Sequence, residues 1–173
     1  MKYAVIYQSR SGNTQILAQH IYNSLRDADK VICDLDFSDE LPTADIYFVG
    51  FGIYNGNCSV EIMDCLERIE TGKLALFVTC GYAPTEQYKA KLEGRLLVWL
   101  PEHAEYLGMF LCQGRVPEEE QPRLLAQTPQ WEQEVSQMLE AGNSHPHEVD
   151  LQRLSGFIQK VCDQANTRII PIL

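Results

Sequence analysis

Ser9-Arg10-Ser11-Gly12-Asn13-Thr14 gathers three hydroxyls, a guanidinium and a glycine in six consecutive residues. That set suits an anion. The hydroxyls of Ser9, Ser11 and Thr14, with the unpaired N–H groups that open a helix, can surround a phosphate. Gly12 lets the backbone approach closely and take a positive φ. The helix end already favours an anion, so little cationic help is required, and Arg10 either adds a contact or faces solvent. Two other phosphate loops are excluded, since the chain has neither G-x-x-x-x-G-K-[ST] nor G-x-G-x-x-G. The competing reading is an ordinary serine-capped helix start. Hydroxyls flanking Gly-Asn-Thr directly after a first strand favour the phosphate.

Two further segments are rich in glycine and aromatic residues. Gly50-Phe51-Gly52-Ile53-Tyr54-Asn55-Gly56-Asn57-Cys58 contains a strong turn signal at Asn55-Gly56. Phe51 reads as the core end of a strand, and Tyr54 as an aromatic wall. In Thr79-Cys80-Gly81-Tyr82-Ala83-Pro84-Thr85-Glu86-Gln87-Tyr88, Gly81 and Pro84 shape a turn. Tyr82 offers a second aromatic wall, with Tyr88 as the substitute or as a helix-core residue. Thr85-Glu86 is suited to cap the following helix. Cys80 has no His or Asp partner nearby in sequence, so no catalytic role is assigned to it or to any other residue. Cys112-Gln113-Gly114-Arg115 ends another strand-like run, facing a ligand mouth, a partner, or simply turning the chain. In His145-Pro146-His147-Glu148 no third ligand adjoins the histidines, and Pro146 followed by Asp150 and Leu151 reads as a helix start. No metal is assigned.

Apolar, β-rich runs cover residues 3–7, 46–51, 74–79 and 106–112, with a weaker one at 31–35. The runs at 46 and 74 are nearly continuous, as in strands covered on both faces of a parallel sheet. Helical spacing follows at Leu17, Ile21 and Leu25, at Ile62, Leu66 and Ile69, and at Tyr88, Leu92 and Leu96. The connection through Asp36-Phe37-Ser38-Asp39-Glu40 reads as loop. The alternation predicts an α/β fold with parallel strands and helical crossovers. In such a sheet, ligands sit outside the carboxyl ends of the strands, where all these segments fall. Further helices are expected over about 119–141 and about 148–166, separated by Gly142-Asn143-Ser144-His145-Pro146-His147.

The 173 residues favour a single domain over 1–173, with 117–143 an extra helical segment. No apolar run is long enough to span a bilayer, and the first residues are too quickly polar for a signal peptide, so a cytoplasmic, membrane-free protein is expected. The net charge of −10 argues against nucleic acid and permits docking to a partner with a basic face. An acidic surface that merely keeps the chain soluble accounts for the charge equally well. The six cysteines show no C-x-x-C and read as reduced thiols, with Cys33, Cys80 and Cys112 in the core.

Ser-x-Ser-Gly-Asn-Thr after an N-terminal strand resembles the flavodoxin phosphate loop, [ST]-x-[ST]-G-N-T, and the resemblance runs from Met1 to about Gly114. It implies a doubly wound five-stranded parallel sheet of order 2-1-3-4-5, with an extra helix near the C-terminus. It implies flavin mononucleotide (FMN) as cofactor, its phosphate held by Ser9, Arg10, Ser11, Gly12, Asn13 and Thr14. Ile53, Tyr54, Asn55, Gly56 and Asn57 would then lie along the reactive edge of the flavin, with Gly56 as a peptide that flips with redox state. Cys80, Gly81, Tyr82 and Tyr88 would border the ring, Cys80 and Gly81 through their backbone. The second segment is closer to a divergent flavodoxin-like group with a G-F-W-x-x-x-G loop and C-Q-G-K/R, although Gly52 stands where that group has Trp. The function implied is electron transfer with a redox protein partner, a reductase or an acceptor enzyme. The competing functions are an NAD(P)H-dependent FMN or quinone reductase and a non-redox binding module. The 117–143 segment would serve as a docking helix, an oligomer surface or a padded edge.

Overall fold

Parallel strands β1 (Lys2–Tyr7), β2 (Asp29–Asp34), β3 (Ile46–Gly52), β4 (Gly72–Cys80) and β5 (Ala104–Gln113) form one sheet in the order β2-β1-β3-β4-β5. The order, the parallel pairing and the weak edge strand β2 match the expectation. The computed structural model describes residues 1–25, 29–38 and 40–166. Asp39, part of the expected loop before β3, lies outside the described residues.

Side chains alternate across the central strands, so each strand feeds two cores. Ala4, Ile6, Val49, Leu74 and Leu76 pack on one face, under helices α2 (Val60–Glu67) and α3 (Glu86–Leu96). Val5, Ile46, Phe48, Ala75 and Phe77 pack on the other, under α1 (Asn13–Ser24) and α6 (Glu148–Asn166). Double coverage explains the continuous apolar runs. Phe51 is core, and Cys33, Cys80 and Cys112 are buried, as expected. At Gly50 an added Cβ would lie 2.0 Å from the Phe77 ring, so only glycine lets β3 and that side chain pack.

The strands end together at one edge, and the loops there carry the candidate residues. Ser59 caps α2 by accepting from the Ile62 N–H, and Thr85 caps α3 by accepting from the Tyr88 N–H, the latter as expected. The helix expected over 119–141 is divided instead. It consists of α4 (Gln121–Gln127), a 3₁₀ turn at Pro129–Trp131, and α5 (Glu132–Gly142). Pro129 is the cause: it lacks an N–H, and Thr128 before it leaves the helical region at φ −132° and ψ 49°.

Candidate functional site

The chain leaves β1 and enters α1 through Gly12, at φ 83°. Nothing lies within 4 Å of a Cβ added there, so the space in front of this helix start is open and the glycine is required by its φ alone. Ser9 Oγ accepts from the Gln15 N–H at 3.2 Å. The Ile16 N–H is bonded to the Gly12 carbonyl at 3.1 Å, so of the first-turn N–H groups those of Asn13 and Thr14 remain to receive an anion. The Asn13 amide donates to Ser11 Oγ and to the Arg115 carbonyl, both at 2.9 Å. A Cβ on Gly114 would come within 2.5 Å of that amide, so glycine makes room for the bond. Beneath the loop, the buried hydroxyls of Thr14 and Thr79 share a 2.9 Å hydrogen bond.

The second loop is a tight reversal. Tyr54 and Asn57 exchange backbone hydrogen bonds of 3.0 and 3.1 Å, with Asn55 at φ 52° and Gly56 at φ 80° between them. Two positive φ values in a two-residue turn explain the Asn-Gly pair. The Ile53 N–H donates to the Thr79 carbonyl at 2.8 Å, tying this loop to β4. A Cβ on Gly52 would sit 3.2 Å from the Tyr54 ring, so Tyr54 covers the space a side chain at 52 would claim. The Arg10 guanidinium lies 4.5 Å from the centre of the same ring, and the residue stays exposed while lining the cavity described below. Burial raises the Tyr54 hydroxyl's pKa, against the opposing pull of Arg10.

In the third loop the Tyr82 and Tyr88 rings meet at 5.7 Å between centroids, tilted by 58°. Burial, then the neighbouring Cys80 and Tyr82, push the Tyr88 hydroxyl up to about 12. Burial likewise pushes the Cys80 thiol up to about 12, although its contact with the Tyr82 backbone opposes this. Cys80 therefore keeps its proton at neutral pH. The Gln113 amide spans the edge, donating to the Gly81 carbonyl at 3.0 Å and the Met138 carbonyl at 3.2 Å.

These loops enclose a cavity of about 510 Å³. Arg10, Ser11, Asn13, Ile53, Tyr54, Asn55, Gly56, Cys80, Gly81, Tyr82 and Tyr88 line it. Ser9, Gly12, Thr14 and Asn57 are not among the lining residues; Ser9, Thr14 and Asn57 shape the walls through the bonds just described, and Gly12 through its φ. Sequence reasoning missed one side of the cavity. Pro117, Glu120, Arg123, Leu124, Gln127 and Met138 line it from the segment read as extra, Val116 from just before it, and Arg95 from α3. No local pattern marks them, because the Gln113 bond and the fold of α4 and α5 bring them there. Thr79 carried one signal, a hydroxyl at the end of an apolar strand.

A separate cluster lies before α6. His145 Nδ1 and His147 Nδ1 stand 2.6 and 3.0 Å from one Asp150 oxygen, with ligand-capable atoms within 4.8 Å of one another. Asp150 supplies the third group that sequence adjacency did not reveal. The same oxygen accepts from the His147 N–H at 3.0 Å, the reciprocal bond of a helix start, as read from Pro146 to Leu151.

A family model for the flavodoxin domain matches residues 4–159, well beyond the span to Gly114 that the motifs suggested. The flavodoxin-like domain-containing protein BilS of Clostridioides difficile (strain CD3) is 31% identical over 96% of this chain and 99% of its own length. Among solved structures, a short-chain flavodoxin associated with a PDU bacterial microcompartment aligns over 95% of this chain and 99% of its own, with a TM-score of 0.62 and 15% identity. A Fusobacterium nucleatum flavodoxin variant bound to flavin mononucleotide aligns over 94% and 96%, with a TM-score of 0.52 and 12% identity. At such identities the structures show the fold, while the family model and the relative show descent. The chain belongs to the flavodoxin domain family.

Proposed function

We propose that the chain is a single domain that binds FMN in this cavity and exchanges electrons with a redox protein partner. One observation carries the reading: an open helix start of the phosphate-binding kind and two aromatic loops face the same cavity. The residues present fit the group. The hydroxyls of Ser9 and Ser11, the helix N–H groups and Arg10 suit the phosphate, with Gly12, Asn13 and the buried Thr14 holding the loop's shape. Tyr54 and Tyr82, with Tyr88 behind, suit a flat ring. Ile53, Asn55, Gly56 and Asn57 form the turn beside it, and the backbone of Cys80 and Gly81 offers polar groups at its rim. FMN supplies one- and two-electron redox chemistry when bound, and the protein supplies binding, orientation and access. The Cys80 thiol, held neutral by burial, is suited to packing rather than to attack. All six cysteines are free, which supports a reducing, cytoplasmic setting. No described helix is long and apolar enough to cross a membrane.

The test is direct. The purified protein should show a flavin spectrum, or gain one on adding FMN, and a dithionite titration should bleach it in two one-electron stages. A protein that stays colourless with added FMN refutes the reading. Steady NADPH oxidation with a quinone and no partner would move it to a reductase.

A further inference from the structure

The mouth of the cavity is charged against the molecule's average. The chain carries 14 basic and 24 acidic residues. Yet four of its eight arginines, Arg10, Arg95, Arg115 and Arg123, line this one cavity, against one acid, Glu120. They come from four places in the fold: the phosphate loop, the end of α3, the chain after β5, and α4. All four are exposed. Among the described residues none has an ion pair. Only Arg10 has a ring to lie on. Gathering four like charges against a single acid raises the local potential. The phosphate does not call for Arg95, Arg115 and Arg123, because a helix start binds an anion largely unaided. Tyr82, 46% exposed, and the half-buried Leu124 line the same cavity. An apolar centre within an arginine rim matches the make-up of protein docking sites.

We infer that this mouth is the docking face for an electron-transfer protein that presents acidic side chains, so that local rather than net charge selects the partner. The inference rests on the proposed function. It reverses the basic-faced partner that a net charge of −10 suggests.

The test uses two haem proteins of opposite surface charge. FMN-loaded protein is reduced and mixed in a stopped-flow instrument with cytochrome b5, acidic around its haem, or with cytochrome c, basic around its haem. Each productive encounter removes one electron from the flavin and converts one haem iron from ferric to ferrous, any released proton passing to buffer. The rate with cytochrome b5 should fall about tenfold as salt rises from low to physiological levels. The triple variant Arg95→Gln/Arg115→Gln/Arg123→Gln should lose a similar factor at low salt. Cytochrome c should show neither effect. A fast, salt-weakened reaction with cytochrome c, or an unchanged cytochrome b5 rate in the variant, overturns the inference. So does ferricyanide oxidation that depends on the arginines while cytochrome b5 oxidation does not, which would mark a small-anion site. Flavin content, read from the visible spectrum, separates loss of docking from loss of cofactor. If the chain takes up no FMN, calorimetric binding of cytochrome b5 to the flavin-free protein and its variant decides the same question.

Discussion

Thr79 joins the two halves of the site through one hydroxyl, and its partner Thr14 lies 65 residues away in the chain. Thr79→Val keeps the shape and removes that bond, leaving the Thr14 hydroxyl buried. The expected cost is about 1–3 kcal/mol, read from urea unfolding, with weaker FMN binding by fluorescence titration. Gly56→Ala tests a different property. The position needs φ 80°, and the added methyl would meet Arg95 Nη1 at 2.8 Å, a flexible group able to move. The fold should survive, while at least one of the two one-electron potentials shifts. If both stay put, this turn does not respond to the flavin. The loop from Ser9 to Thr14 stood out in the sequence because its residues are contiguous, and its glycine is dictated by backbone angle. The tie between Thr14 and Thr79 was not, because no local pattern relates the two positions. Arg10 was likewise undecidable, since the face of Tyr54 that holds it exists only after the second loop has folded over Gly52.

At the scale of elements, strands and crossover helices could be read directly. Burial on both faces imposes continuous apolar runs on β3 and β4, and caps such as Thr85 announce their helices. The failure lies in the stretch from 119 to 141, where helical spacing continues across Pro129 although the helix does not. Its place at the cavity was hidden for a related reason. α4 and α5 are held by contacts distant in sequence, among them the Gln113 amide on the Met138 carbonyl. Gln113→Leu should therefore loosen this wall. The Gly81 and Met138 carbonyls lose a donor, and the expected cost is about 1–2 kcal/mol in urea unfolding. FMN should dissociate faster, and trypsin should cut sooner after Arg123.

The whole molecule stores several neutral groups that become costly to keep at high pH. Burial leads in raising Cys65 and Cys80 from 9.0 to about 12, and Tyr3 and Tyr88 from 10.0 to about 12. The folded state therefore keeps protons that the unfolded chain releases. Their contribution to stability is complete below about pH 9 and is lost as pH rises towards about 12. The urea midpoint should fall steadily across that window. A midpoint that stays level there would count against burial of these four groups.

One chain of bonds crosses the cavity mouth. The Asn13 amide holds the Arg115 carbonyl, and the Arg115 N–H donates to the His145 carbonyl at 3.2 Å, so the phosphate loop and the approach to α6 grip one residue from opposite sides. Residue 115 thereby becomes a built-in occupancy gauge. A ligand that steadies Asn13 also steadies the strut reaching His145, and deuterium uptake at the Arg115 amide should slow on filling the cavity, reporting its occupancy at the approach to α6.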